Sequence, residues 1–295
     1  MKALVTGGAG FIGSNIAMEL DKEHEVTVLD NFSNGSEKNL EGFTGKIIKD
    51  SIVDFDWQKL DVDVVFHEAA ISDTRVMDED LMMQTNVEAF RKMLEWASQN
   101  NVKVIYASSA AVYGNSPAPH RVSQPLTPLN IYGKSKVEMD KVATEYFDKM
   151  HVIGLRYFNV FGPREAHKDK FASMIYQLAQ QMKAGKKPKI FTDGKQKRDH
   201  IYVKDVLQAN FKALNAKKSG IANVGIGKPT TYNEIVRILN NVLDTNLETE
   251  YFDCPYNFFQ KHTEADLTEA KELFDYEPEW SVENGVKDYY KSEWL

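Results

Sequence analysis

Tyr132 and Lys136 stand four residues apart in LNIYGKSKVEMD, a segment that reads as the first turns of a helix, just past the proline-broken run NSPAPHRVSQPLTP. An i, i+4 pair shares one helix face, so the Lys136 ammonium is expected near the Tyr132 hydroxyl, where it favours phenolate over phenol and lowers the tyrosine pKa. A tyrosine tuned in this way is a general base for a hydroxyl being oxidised, or a general acid for a ketone being reduced. Upstream, YASSAAVYG ends a strand-like run with Ser108 and Ser109, and a hydroxyl there can hydrogen-bond the same substrate oxygen. Taken alone, the pair also fits a chance surface arrangement, so the rest of the chain must decide.

The N-terminal VTGGAGFIG follows a strand-like run and opens a helix-like one. Gly7, Gly10 and Gly13 then fall where a tight turn, a close backbone approach to a pyrophosphate and close helix packing each need the smallest residue. The next strand-like run ends at Asp30, about 20 residues past the middle glycine, where a carboxylate accepts hydrogen bonds from an adenosine ribose. Spacing, strand context and acidic terminus together predict a bound dinucleotide, and Lys136 can then also hold the nicotinamide ribose. Asp30 repels a 2′-phosphate, which favours NAD. NADP stays open through a nearby lysine, Lys38 or Lys59. Asp50, after Ile47 and Ile48, is either an adenine contact or an exposed strand-end carboxylate.

These groups need a frame, and the chain supplies one. KALVTG, EVTVLD, VDVVFHEAA, VKVIYASS and HVIGLRYFNV read as buried parallel strands. Between them lie FIGSNIAMELDK, DLMMQTNVEAFRKMLEWASQN and NIYGKSKVEMDKVATEYFDKM at helical spacing. The alternation predicts an α/β protein with a doubly wound parallel sheet of Rossmann type. Past residue 160 the connections GPREAHKDK, AGKKPKIFTDGKQKRD and GIGKPT break the rhythm and predict a smaller α/β substrate-binding lobe. The expected division is 1–157, 199–228 and 260–278 for the dinucleotide domain, with 158–198, 229–259 and 279–295 for the other lobe.

With 295 residues, 42% hydrophobic and 27% charged, the chain can bury one large core or two unequal ones. A net charge of -7 without a long basic block argues against a nucleic-acid partner. No apolar run approaches the roughly 20 residues that span a bilayer, and the opening is too short in apolar residues for a signal peptide, so no membrane partner and a cytoplasmic location are expected. The single cysteine, Cys254, excludes an intramolecular disulfide. No histidine has partners at ligand spacing, so no metal is expected.

TGGAGFIG, YASSAAVYG and YGKSK together resemble the extended short-chain dehydrogenase/reductases, which act on nucleotide-diphosphate sugars. The likeness continues through GLRYFNVFGPREAHKDKFASM, PKIF, QKRDHIYVKDV, SGIANVGIGKPTTYNEIV and HTEADLTEAKELF, essentially the whole chain. It implies catalysis by Ser109, Tyr132 and Lys136. The cofactor contacts it implies are Gly7, Gly10, Phe11, Ile12, Gly13, Asp30, Asn31, Asp50, Ala69, Ala70 and Asn86, besides Tyr132 and Lys136. Substrate contacts fall to Ser109, Asn159, His167, Lys170, Phe191, Arg198 and Phe259, with the Arg198 fork suited to a diphosphate. Dehydratases and decarboxylases of this family carry an acid directly after the equivalent serine or threonine. Here Ala110 and Ala111 follow Ser109, so the resemblance implies an epimerase that oxidises a sugar to a keto form and re-reduces it without net redox.

Within the family, RYFNVFGPRE, the HK pair, FASM and ADLT resemble the ADP-glycero-manno-heptose 6-epimerases more than the UDP-hexose 4-epimerases, which stay as the alternative. That subgroup uses the lysine of its HK pair as a second acid/base, which falls on Lys168; a solvated loop lysine is the competing reading. Lys170 replaces a subgroup serine and Phe259 a substrate-contacting tyrosine. Where the subgroup holds the NADP phosphate with a lysine, Gln58 and Lys59 stand. A net reductase and a non-catalytic dinucleotide sensor are readings of other classes. Met82, Met83, Tyr146 and Phe147 on two helices point to a homo-oligomer, or else pack within the subunit.

Overall fold

The structure, a computed structural model, describes residues 1–254 and 260–295, so Phe259 lies outside the described residues. Strands β1 (Lys2–Thr6), β2 (Glu25–Asp30), β3 (Lys46–Lys49), β4 (Val64–His67), β5 (Lys103–Ser109), β6 (Val152–Tyr157) and β7 (Gly220–Val224) form a seven-stranded parallel sheet in the order β7-β6-β5-β4-β1-β2-β3. Near-continuous burial along β1, β4, β5 and β6 explains their apolar runs, because helices cover both faces of a parallel sheet. The five expected strands are all present. β3 and β7 complete the sheet beyond that expectation: β3 is a short, largely exposed edge strand with lysines at both ends, and β7 lies in the glycine-rich stretch where no alternation was visible.

Strand order reverses between β1 and β4, and the carboxyl ends of the strands open a crevice there. Helix α1 (Phe11–Leu20) leaves β1 on one side of the sheet. On the other side a helix opens at Glu79, capped by Asp78, widens through a π turn at Gln84–Glu88, and continues as α2 (Ala89–Gln99). Helix α3 (Ile131–Thr144) begins where the Asn130 side chain accepts from Gly133 N at 2.7 Å, and it ends at Thr144, short of the Met150 end read from the sequence. A separate hydrophobic cluster is built around α4 (Met174–Lys183), α6 (Tyr232–Leu243) and α8 (Val282–Lys291), while α5 (Val203–Ala213) and α7 (Thr268–Phe274) pack on the sheet.

Two cores flank the sheet. Ile16, Phe66, Leu155 and Val206 lie in one; Leu4, Phe90, Met139 and Val152 lie in the other. Each fully buried side chain of this size contributes about 1.5–3 kcal/mol. Met82 is fully buried, and Met83, Tyr146 and Phe147 pack partly against the second core, so these four contribute to the subunit's own interior.

Candidate active site

The loop from β1 to α1 leaves room for an anion by omission. Gly7 has φ +66°, and a Cβ there would lie 2.7 Å from Ala69 N; a Cβ on Gly13 would lie 2.2 Å from Gly7 O. Gly10 occupies the N-cap without a side-chain cap, and no acidic residue stands in the first turn, so the N–H groups around Phe11 and Ile12 remain for a negatively charged group. This cradle fits a dinucleotide pyrophosphate, with Ala69 and Ala70 on the strip after β4 that faces it. Asp30 ends β2 and is 8% exposed; its Oδ2 accepts from Ala9 N at 2.9 Å and its Oδ1 from Phe32 N at 2.7 Å. The carboxylate thus braces the glycine loop and keeps further lone pairs for a ribose hydroxyl.

Other expected cofactor contacts have local work. Asn31 accepts from Ser33 N at 3.0 Å. Asp50 is exposed and accepts from Ser51 N at 2.7 Å. Asn86 is fully buried: its Oδ1 accepts from Ile71 N at 2.8 Å and its Nδ2 donates to Ile71 O at 3.0 Å and Ser135 Oγ at 3.0 Å. Asn86 therefore ties the strip after Ala70 to α3 from within the π turn, instead of presenting its amide to the crevice.

Ser109 at the end of β5 and Tyr132 in the first turn of α3 come near enough for the serine to act on the tyrosine's ionisation. Lys136, one turn on, is 2% exposed; its Nζ lies 5.8 Å from the Tyr132 ring centroid and donates to Ala107 O at 2.7 Å. The expected lowering of the tyrosine pKa by Lys136 is corrected here. Burial pushes the Tyr132 phenol above its ordinary value, Ser109 pulls it back, and Glu68 adds to the rise. Lys136 donates one N–H to a backbone carbonyl, and burial brings its own pKa down to about 8 against the pull of Glu68 and Asp140.

Glu68 was not singled out from the sequence. It follows β4, accepts from Tyr157 OH at 2.9 Å, and is pushed up to about 8 by burial, with the Tyr157 bond and Lys136 opposing. Asn210 Nδ2 supports Tyr157 OH at 2.8 Å. A carboxyl one residue after a buried strand has no pattern of its own; the signal was only its charge inside VVFHEAA.

A turn at Ala166–Phe171 brings Lys168 to the start of α1, with its Nζ 5.6 Å from the Phe11 ring centroid. Burial pulls the Lys168 ammonium below the ordinary lysine range, and Glu165 works against this. Glu165, also missed, is fully buried: it accepts from Gly162 N at 3.1 Å, Ser173 Oγ at 2.9 Å and Ser173 N. His167 Nδ1 lies 3.1 Å from Asn39 Nδ2, whereas Lys170 is exposed on the outside of the turn.

Asn159 Nδ2 donates to Asp199 O at 3.0 Å and Thr263 Oγ1 at 3.2 Å. Arg198 donates to Lys197 O at 2.9 Å and to Gln260 O, while burial lowers its pKa. The Phe191 ring meets Phe252 edge-on at 5.0 Å, where Lys189–Phe191 pairs with Glu250–Phe252. Tyr132, Lys136 and Ser109 thus gather at the end of β5 and the start of α3, and Lys168 at the start of α1, while Phe191 and Arg198 make contacts of their own elsewhere. Among the described residues no group of three His, Cys, Asp or Glu could hold a metal ion.

Residues 3–225 match the family model described as NAD dependent epimerase/dehydratase family. The chain is 37% identical, over 97% of its own length and 96% of the relative's, to an ADP-L-glycero-D-manno-heptose-6-epimerase of Brachyspira hyodysenteriae. Among solved structures it is similar to the Helicobacter pylori ADP-L-glycero-D-manno-heptose-6-epimerase, with a TM-score of 0.93 and 44% identity over 99% of this chain and 95% of that one. It is also similar to a UDP-N-acetylglucosamine 4-epimerase from Methanobrevibacter ruminantium, with a TM-score of 0.92 and 33% identity over 98% and 97%.

Proposed function

The chain belongs to the NAD dependent epimerase/dehydratase family, and from that premise we propose that it epimerises a nucleotide-diphosphate sugar of the ADP-glycero-manno-heptose class at carbon 6. The observation that carries the reading is Ser109 set near Tyr132 beside buried Lys136, with Ala110 and Ala111 following the serine and no carboxylate there to drive elimination. Bound NAD supplies the acceptor and later the donor of a hydride. Tyr132 Oη takes the proton of the sugar hydroxyl being oxidised, while Ser109 Oγ holds the same oxygen. Lys136, fixed on Ala107 O, holds the cofactor ribose with its remaining donors. Lys168 exchanges the proton on the opposite face of the keto-sugar; burial, which favours its neutral amine, supports that role. Arg198 meets the diphosphate, and Phe191 lies toward the nucleotide.

Residues 1–157, 199–228 and 260–278 form the dinucleotide domain in this reading, and 158–198, 229–259 and 279–295 the sugar-nucleotide lobe. The enzyme is then a cytoplasmic homo-oligomer; the partial exposure of Met83, Tyr146 and Phe147 supports self-association. No described helix is long and apolar enough to cross a membrane.

A second reading, a UDP-hexose 4-epimerase in which the ring turns over and reuses Tyr132, is favoured by the likeness to a UDP-sugar 4-epimerase. Incubation with ADP-heptose epimers and with UDP-hexoses, followed by chromatography and NADH absorbance, tests both. Interconversion of heptose epimers without net NADH change is expected. Conversion of UDP-hexoses alone selects the second reading, and net NADH formation with either substrate removes both.

A further inference from the structure

The middle of the glycine loop is tied to the turn that carries Lys168 through one buried side chain. Ala9 donates its N–H to Asp30 Oδ2, and its carbonyl accepts from Asn39 Nδ2 at 3.0 Å. Asn39 is 2% exposed, and the same nitrogen lies 3.1 Å from Nδ1 of His167, the neighbour of Lys168. A side-chain amide nitrogen carries two N–H groups. With one on Ala9 O, the other is free to point at His167; Nδ1 then accepts and the imidazole proton lies on Nε2, in competition with Nδ1–H donation to Arg164. Nδ1 also lies 3.0 Å from Arg164 O, an acceptor. Without the Asn39 amide, the stable arrangement is the other tautomer, with Nδ1–H donating to Arg164 O.

We propose that Asn39 is a positioning residue that couples the dinucleotide loop to the Lys168 turn and holds His167 as its Nε2–H tautomer. The proposal rests on the reading of the glycine loop as the NAD site. Because Ala9 O and His167 Nδ1 share one amide, ordering of the loop by NAD also orders the residue beside Lys168. Arg164 gives the base of the turn a separate tie, from its Nε to Asn39 O at 3.1 Å, but this uses the backbone of Asn39 and survives loss of its side chain.

The test is hydrogen exchange of the full chain with and without NAD, together with nitrogen NMR of histidine-labelled protein. In the wild type, NAD is expected to slow exchange both in the glycine loop and in peptides spanning 166–171, and the His167 signal, identified by its loss in His167→Phe, reports Nε2–H. In Asn39→Ala, NAD still slows the glycine loop, but its effect on 166–171 falls by about three- to tenfold, the scale of one net hydrogen bond, and His167 moves to Nδ1–H. If Asn39→Ala does not fold, His167→Phe removes the link from its other end and is expected to give the same exchange pattern. Equal protection of 166–171 in variant and wild type, or an unchanged tautomer, overturns the proposal. If NAD leaves the wild-type glycine loop unprotected, the reading of that loop falls, and the proposal with it. Neither readout uses turnover, so the fate of the epimerase reading is decided separately.

Discussion

Lys136 stands on a 14-residue helix whose inward face is fixed by a buried polar network. Asp140, one turn beyond it, accepts from Arg156 Nε at 2.9 Å and from Tyr106 OH at 2.9 Å, and Arg156 continues to Tyr113 OH at 2.9 Å. Lys168 stands on a short turn broken at Asp169, with φ +47°, and kept in place by contacts from Glu165 and Asn39 to backbone and neighbouring side chains. The first lysine is positioned by regular secondary structure and a sheet, the second by individual hydrogen bonds. A helix delivers its groups at fixed spacing, so Tyr132 and Lys136 can be found by counting; a turn delivers Lys168 only because distant residues hold it.

The sharpest way to break the comparison is to remove the group that the rigid region serves. Tyr132→Phe is expected to fold, to retain NAD and to lose about 10²–10⁴ in turnover, the scale of general acid/base catalysis. Turnover within tenfold of wild type, measured on the accepted sugar, would remove Tyr132 from the mechanism.

The next effect concerns the lock itself. The Arg156–Asp140 pair is buried on both sides, at 4% side-chain exposure each. Asp140→Ala leaves the guanidinium without its partner and is expected to lower stability by about 3–5 kcal/mol. A urea unfolding midpoint equal to that of the wild type would show that α3 does not depend on this network.

Lys168→Met carries the comparison to the turn. It removes the titratable amine and keeps most of the side chain's length. If Lys168 serves the second face, turnover is expected to fall by about 10² with little change in substrate affinity, since a group used in the transition state lowers the chemical rate selectively. Unchanged turnover makes Lys168 a loop charge and selects the reading in which Tyr132 is reused.

The same contrast marks how far the sequence could be read. β1, β2, β4, β5 and β6 were legible because both their faces are buried and their apolar runs are continuous. β3 was not, since only part of it is covered. Gly7 and Gly13 announced a cradle because their missing side chains are a local requirement. Glu68, Glu165 and Asn39 were invisible for the opposite reason: what makes each matter is burial beside Tyr157, Ser173 or His167, and those partners lie 89, 8 and 128 residues away in sequence. The tyrosine pKa failed in the same way, because helical spacing placed Lys136 on the right face but could not show that its ammonium turns to Ala107 O.

Glu68→Gln yields the smallest expected effect and sharpens the comparison within the rigid region. The Glu68 carboxyl has its folded pKa raised to about 8 from the ordinary 4.5. Between those values the unfolded chain has lost the proton and the folded protein keeps it, so this group makes stability fall as pH rises from about 4.5 to 8. Lys136 works the other way at higher pH: its folded pKa is lowered to about 8 from 10.5, so its contribution rises as pH climbs between those values. Glutamine keeps the acceptor for Tyr157 OH and has no proton to lose. Relative to wild type, Glu68→Gln is therefore expected to gain at most about 3 kcal/mol on going from pH 5 to pH 8, measured as urea midpoints at each pH. A constant difference across that window would mean that Glu68 is ionised throughout, as one half of a buried pair with Lys136. Regular elements would then position the charges as well as the side chains in this half of the site.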